Sequence, residues 1–393
     1  MTPAARVQAA IELLDAIVDA AQREGAPADR LIADYFRQRR YAGSKDRRAV
    51  RELVYRAIRV CSEVPQSGRA AMGALGVEDE AILQLFDGSN HGPAPIGNGE
   101  IFAEPGIAPA WLVEQMAASG IEGEELTALM DRAPLDLRVN ALKSDRAEID
   151  LPIEGSHIAS FQGLRFPAGT AVEQWPAYRD GMIEVQDLGS QLACQASGTK
   201  PGETVIDLCA GAGGKTLGLA AQMRSEGRLI ACDIDRRRLS KLGPRAERAG
   251  AGLIETLLLN PGKELDMLGD LAGQADCVMV DAPCSGTGTW RRKPEAKWRL
   301  TPERLSRFSA AQDNLLDIAA KLTKPGGRIA YVTCSLLDAE GKDRIAAFLR
   351  RNPGWNPLEP GLSLGRIHGA GIRLTPYHDG TDGFFIAILG SSC

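Results

Sequence analysis

The chain has 393 residues, with 46 Lys+Arg against 51 Asp+Glu and a formal net charge of −5, a length that suggests two or three domains. Hydrophobic residues at 44% and charged residues at 25% are ordinary globular values and exclude a disordered or fibrous chain. Aromatics at 5% argue against base stacking as the main binding device, and the net acidity means that any nucleic-acid surface must be local.

Residues 1 to about 60 read as helices. Val7, Ala10, Ile11, Leu14 and Val18 form one apolar stripe at helical spacing, and Leu53, Val54, Ala57 and Ile58 begin another. Glu12, Asp15 and Asp19 interrupt the apolar pattern at the N-terminus, so it reads as an amphipathic helix and not as a secretory signal. No apolar run approaches the ~18 residues of a membrane span. The expectation is a cytoplasmic chain without a membrane segment, and a monomer, since no apolar stripe demands a partner. The eight cysteines (61, 194, 209, 232, 277, 284, 334 and 393) show no C-x-x-C spacing, so neither a metal site nor a disulfide framework is expected. Between Arg37 and Arg59 lie nine basic residues against two acids, Asp46 and Glu52, a local footprint for phosphates in an acidic chain.

The Gly- and Pro-rich stretch HGPAPIGNG (91–99) reads as part of a linker. Two short helices follow at about 109–119 and 122–132, then a strand LDLRVNAL (135–142) and a small mixed unit over 151–185. From about residue 200, strands and helices alternate: TVIDLCA, RLIACDID, LIETLLL, CVMVDAP and RIAYVTCS are separated by helices, and FFIAIL closes the series. That alternation predicts an α/β fold with a doubly wound, mostly parallel Rossmann-like sheet, whose ligands lie at the carboxyl ends of the strands. The predicted layout is an all-α domain over 1–90, a linker over 91–108, a small α+β subdomain over 109–185 and a catalytic domain over 186–393.

Three motifs fall at predicted strand ends. DLCAGAGGKT (207–216) lacks the first Gly of a P-loop, where Cys209 stands, and meets Thr216 where a dinucleotide fingerprint needs its third Gly. A Gly loop of this kind, with Asp233 ending the next strand to accept from a ribose, fits an adenosyl ligand without phosphates, namely S-adenosylmethionine. DAPCSGTGTWRRKPEAKW (281–298) carries Cys284 where an amino-methylating enzyme would hold an aromatic, and TCS (333–335) carries Cys334 on the following strand. Two strand-end cysteines converging on one cleft suit methylation of a ring carbon. Cytosine C5 becomes nucleophilic only after a thiolate adds to C6, and a base must then remove the C5 proton.

These three motifs, with YVTCS, RVNALK (138–143), VQDLGSQL (185–192) and DGFFIAIL (382–389), resemble the RNA cytosine-C5 methyltransferases of the RsmB/Sun/NSUN type over residues 106–393. The N-terminal helices resemble the NusB-like domain of the bacterial RsmB proteins. The resemblance implies Cys334 as the nucleophile on C6 and Cys284 as the group assisting proton removal and release. It implies Asp281 on the cytosine N4 or N3 edge, protonated or acting through its neighbours, with Lys215 between cofactor and base. Cys209, Ala210, Gly211, Ala212, Gly213, Gly214 and Lys215 would wrap the methionine part of S-adenosylmethionine, Asp233 its ribose, and Asp281 would border it. Asn260 stands where the family often has an Asp near the adenine, and Ala212 where it usually has Pro. Small-subunit ribosomal RNA is the implied substrate, with transfer RNA, or a NusB-like RNA-binding factor without catalysis, as alternatives. In DNA cytosine methyltransferases the nucleophile would be Cys284, but their Glu-Asn-Val motif is absent here. Arg47, Arg48 and Arg51, with Arg291, Arg292 and Lys297 beside the catalytic loop, are the expected RNA contacts. Trp290 is a candidate for base stacking and Trp298 for packing. The six other cysteines read as structural.

Overall fold

A computed structural model describes residues 1–23 and 25–392; Glu24 and Cys393 lie outside the described residues. The chain divides into two compact units: the first takes Met1–Asp131 and Thr289–Thr301, and the second takes Arg132–Gly288 and the described chain from Pro302 onward. This departs from the expected boundaries in two places. The helices after residue 109 belong with the N-terminal helices and not with the small sheet, and the chain returns to the first unit over 289–301.

The first unit is helical, with α1 (Pro3–Gln22), α2 (Ala28–Gln38), α3 (Ser44–Val60), α4 (Gly68–Glu78), α5 (Glu80–Leu83), α6 (Ala110–Ala118) and α7 (Gly123–Thr127). Thr2 caps α1 by accepting from the Ala5 amide, with Pro3 at the first helical position. α1 is packed by both α3 and α4, so its buried residues extend beyond the predicted stripe to Leu13 and Ile17. The returning segment completes this core. Trp298 is 4% exposed among the N-terminal apolar residues, the Glu295 carboxylate accepts from the Ala28 amide at the start of α2, and the Arg299 guanidinium donates to the Gly25 and Ala26 carbonyls.

The second unit opens with β1 (Leu135–Val139), β2 (Ser156–His157), β3 (Gly163–Phe166), α8 (Pro176–Arg179) and β4 (Ile183–Val185). The four strands form an antiparallel sheet in the order β2-β3-β1-β4. The predicted strand 135–142 stops at Val139, where the Asn140 side chain turns to the Gly181 and Ala249 carbonyls.

The main fold then runs α9 (Leu188–Ala196), β5 (Thr204–Asp207), α10 (Gly214–Gln222), β6 (Arg228–Asp233), α11 (Arg236–Leu239), α12 (Leu242–Ala249), β7 (Ile254–Leu258), α13 (Glu264–Leu268), β8 (Ala275–Asp281), α14 (Pro302–Leu322), β9 (Thr323–Thr333), α15 (Lys342–Arg351), β10 (Trp355–Leu358), β11 (Arg366–His368), β12 (Gly371–Leu374), α16 (Pro376–Asp379) and β13 (Phe384–Ser391). The large sheet has the order β11-β12-β13-β9-β8-β5-β6-β7, with β10 also on β13. β7, β6, β5, β8 and β9 are parallel, whereas β13 is antiparallel to β9 and carries β12 and β10 along its other edge. This is the Rossmann-like α/β fold, extended by short antiparallel strands that the sequence reading left out. The chain moves outward from β5 to β6 and β7 and then returns to β8 on the far side of β5. The carboxyl ends of β5 and β8 therefore flank the topological switch point, where such sheets bind ligands. Among the described residues no helix is long and apolar enough to cross a membrane.

Candidate active site

The loop leaving β5 is shaped by its glycines. Gly211 and Gly213 have φ of 58° and 87°, a region that L side chains adopt only with strain. A Cβ on Gly213 would also lie 2.1 Å from the Leu242 side chain, while one on Gly214 would meet nothing within 4 Å. The loop is thus packed on one side and open at Gly214. Asp207, at the end of β5, is fully buried and accepts from the Thr216 hydroxyl at 2.7 Å; burial pushes its carboxyl up to about 7. One Asp207 oxygen has no protein partner.

Asp233 ends β6, is 5% exposed, and receives the Gly211 amide at 2.7 Å and the Asp235 amide at 2.7 Å. It braces the Gly loop from the neighbouring strand, with the Arg238 guanidinium 3.9 Å away. Cys209 packs against the adjoining apolar cluster, and its thiol is pushed well up, first by burial and then by the surrounding carboxylates. Asn260 is exposed beyond β7, its backbone amide directed at the Met267 sulfur.

Lys215, in the first turn of α10, places Nζ 2.8 Å from Asp281 at the end of β8. Burial alone would lower the lysine's pKa, but the Asp281 carboxylate more than offsets this and raises it, so Lys215 is an ammonium. Asp281 therefore stands beside a charged partner. Phe384 of β13 lies under the Lys215 ammonium at 5.5 Å.

The loops after β8 and β9 bring Cys284 and Cys334 to a Sγ–Sγ distance of 3.4 Å, with both residues half-buried. The hydrogen bond shared with Cys334, reinforced by burial, pushes the Cys284 thiol well above its ordinary range. Beneath the pair lies a polar core that sequence reasoning missed. Glu340 is fully buried and accepts from the Ser285 amide at 2.8 Å, from the Ser285 hydroxyl, and from the Gln312 side chain at 3.3 Å. The repeated Cys-Ser step in PCS and TCS was the available signal, since Ser285 and Ser335 meet at 3.1 Å between their hydroxyls.

The expected basic contacts divide into two groups. Arg47, Arg48 and Arg51 lie on α3 and all three are exposed, with the Arg47 guanidinium also donating to the Ala42 carbonyl at 2.8 Å. Arg291 and Lys297 are buried, at 7% and 0% exposure, and Arg292 is half-buried. Lys297 donates to the Ile107 carbonyl at 2.7 Å inside the first unit, and burial lowers its pKa to about 7. The expectation that Arg291 and Lys297 are RNA contacts beside the catalytic loop is thus corrected: both are buried, and their segment is part of the helical core. Trp290 is also fully buried, so it offers no open face for a base.

Residues 195–390 match a family model described as 16S rRNA methyltransferase RsmB/F. A probable ribosomal RNA small subunit methyltransferase B from Synechocystis is 35% identical over 299 residues, covering 72% of this chain and 66% of the relative, so the matched stretch falls just short of two thirds of that protein. The ribosomal RNA small subunit methyltransferase B of Erwinia tasmaniensis is 32% identical over 320 residues, covering 79% of this chain and 70% of its own length. Among solved structures, a methyltransferase homolog from Pyrococcus horikoshii superposes with a TM-score of 0.60 at 25% identity, over 72% of this chain and 99% of that one. The matched region contains the Gly loop, the Lys215–Asp281 pair and both cysteine loops, and on this footing the chain belongs to the RsmB/F family of methyltransferases.

Proposed function

We propose that this chain is an S-adenosylmethionine-dependent RNA cytosine-C5 methyltransferase acting on small-subunit ribosomal RNA through a covalent adduct. The observation that carries the reading is the 3.4 Å thiol pair at the ends of β8 and β9, beside the Lys215–Asp281 pair and the Gly loop. The ribosomal substrate is taken from the names of the relatives. The residues present fit the cofactor: the cradle is open at Gly214, and Asp207 keeps an unpartnered buried oxygen. Residues 209–215 would hold the methionine part, Asp233 the ribose, and Asn260 the adenine end. When bound, S-adenosylmethionine supplies an electrophilic methyl group to the activated C5 carbon.

The remaining chemistry belongs to the chain. Cys334 is the nucleophile, and the Lys215 ammonium, paired with Asp281, acts on it electrostatically. Its sulfur forms the bond to C6, which moves the ring electrons toward C5 and makes that carbon a nucleophile. Cys284 holds its proton in the free enzyme because the hydrogen bond with Cys334, and then burial, push its thiol well up. Once the Cys334 sulfur is bonded to C6, the hydrogen bond that held the proton on Cys284 is gone and Cys284 can serve as a base. It takes the C5 proton, the ring electrons return, and the S–C6 bond breaks to release Cys334. Arg47, Arg48 and Arg51 on α3 supply phosphate contacts for RNA.

Transfer of radiolabelled methyl to unmodified ribosomal and transfer RNA, compared among wild type, Cys334→Ala and Cys284→Ala, tests the reading. Labelled 5-methylcytosine in ribosomal RNA with wild type, none with Cys334→Ala, and a trapped protein–RNA adduct with Cys284→Ala is the expected result. An adduct with Cys334→Ala would reverse the thiol roles. Labelling of transfer RNA alone would change the substrate. No labelling at all would leave an RNA-binding factor.

A further inference from the structure

Each motif cysteine is followed by a serine, and both serines converge on one carboxylate. The Ser285 amide and hydroxyl donate to Glu340, and the Ser285 hydroxyl reaches the Ser335 hydroxyl at 3.1 Å. Gln312 of α14 adds a second tie on the other side of Cys284, donating to the Pro283 carbonyl at 2.9 Å and to Glu340 at 3.3 Å. Thr287 closes the cluster by meeting Ser335 at 3.2 Å and accepting from the Leu336 amide at 3.0 Å. The residues that flank both thiols are therefore fixed to one fully buried glutamate, and the Ser285 and Gln312 donors that reach it are neutral. A carboxylate buried without a cation is costly, and its field is poorly screened.

We propose that Glu340 is a positioning residue for the two-thiol reaction read above: it ties the Cys284 loop to the Cys334 loop and sets its negative charge beside Cys284, so that the proton of the pair rests on Cys284 and Cys334 is the nucleophile. The inference rests on that functional reading for its consequence and on the hydrogen-bond network for its geometry. The groups whose charge bears on Cys284 are Cys334 and Glu340, and Tyr331 of β9 lies near both Cys284 and Glu340, while Lys215 acts on Cys334. The Tyr331 hydroxyl donates to the Glu340 backbone carbonyl at 2.8 Å, which holds the turn in place from below. Burial raises the Glu340 carboxyl, while the Ser285, Ser335 and Gln312 bonds act against that rise and favour the anion.

The test uses the full chain as wild type, Glu340→Gln and Glu340→Ala, with iodoacetamide as the probe at one mildly alkaline pH and no RNA present. Peptide mass mapping reads the rates at Cys334 and Cys284 separately. In wild type, Cys334 reacts faster by on the order of tenfold or more, because Cys284 keeps its proton and the thiolate is the reactive form. Glu340→Gln keeps the shape and an acceptor for the Ser285 amide but removes the charge, so the Cys334-to-Cys284 ratio falls toward one. Glu340→Ala also releases the loops and lowers kcat for methyl transfer by on the order of 10²-fold, as a displacement near 1 Å does. The Kd for S-adenosylmethionine, measured by calorimetry, stays within about twofold of wild type in both variants, and Glu340→Gln recovers part of the lost kcat. If Glu340→Ala does not fold, Gln312→Ala, which loosens the same loop, takes its place for the kcat measurement. An unchanged alkylation ratio in Glu340→Gln, or wild-type kcat in Glu340→Ala, overturns the inference. Because the ratio is read without RNA, a wild-type enzyme that labels no cytosine would overturn the function while leaving Glu340 to be judged separately.

Discussion

Replacing Lys297 by methionine is expected to stabilise the helical unit at neutral pH. The lysine has no exposed surface and donates to one carbonyl, that of Ile107. Its pKa is 10.5 in the unfolded chain and about 7 in the folded one, with burial as the first cause. Between those values the unfolded chain binds a proton that the folded chain does not, so stability rises with pH across that window. The penalty is absent above pH 10.5, grows as pH falls toward 7, and is constant below. A gap of about 3.5 in pKa, at 1.36 kcal/mol each, sets a ceiling of about 5 kcal/mol. Loss of the bond to Ile107, worth about 1 kcal/mol, and local relaxation reduce the gain to roughly 2–3 kcal/mol. Guanidinium unfolding of wild type and Lys297→Met, followed by tryptophan fluorescence at several pH values from 7 to 10.5, measures it; Trp298 lies in the same core and reports on this unit. The gain is expected to be largest at pH 7 and to vanish near pH 10.5. A difference that does not change with pH, or a variant less stable than wild type at pH 7, would refute the reasoning. RNA affinity should not change, because a buried lysine makes no phosphate contact.

The arginines of α3 should behave in the opposite way. Changing Arg47, Arg48 and Arg51 to Ala should weaken RNA binding in fluorescence anisotropy and make the slope of log K against log salt shallower, by about 0.7 for every phosphate of a single strand that is no longer neutralised; an unchanged slope would remove α3 from the RNA surface. Asp233→Ala removes the acceptor for the Gly211 and Asp235 amides and the expected ribose contact. The Kd for S-adenosylmethionine should rise by roughly 10- to 100-fold in calorimetry, the scale of one or two charge-assisted hydrogen bonds, and a Kd within twofold of wild type would displace Asp233 from the site.

What could be read in advance followed from short-range physics. A buried parallel strand is a short apolar run, and its ligand-bearing end is the loop that follows it, so TVIDLCA, CVMVDAP and RIAYVTCS announced both the sheet and the positions of Asp207, Asp281 and Cys334. The Gly loop was legible because a turn with φ of 58° at Gly211 and 87° at Gly213 excludes most side chains. The strands β10, β11 and β12 were not legible: they are short, β10 and β11 are largely exposed, and they pair through backbone bonds that leave no apolar pattern.

The α/β alternation, the cofactor-type loop and the two strand-end thiols could all be read from the chain alone, because each is specified by residues that are neighbours in it. Which charges are buried came from long-range packing. RRKPEAKW reads as a basic loop, yet Lys297 lies in the helical core, because the chain returns to the first unit over residues 289–301 and charge alone does not reveal depth. Glu340 was equally hidden, since its role comes from meeting Ser285, 55 residues earlier in the chain, and Gln312, 28 residues earlier. A buried carboxylate draws its partners from whichever elements folding brings around it, and no local pattern records them.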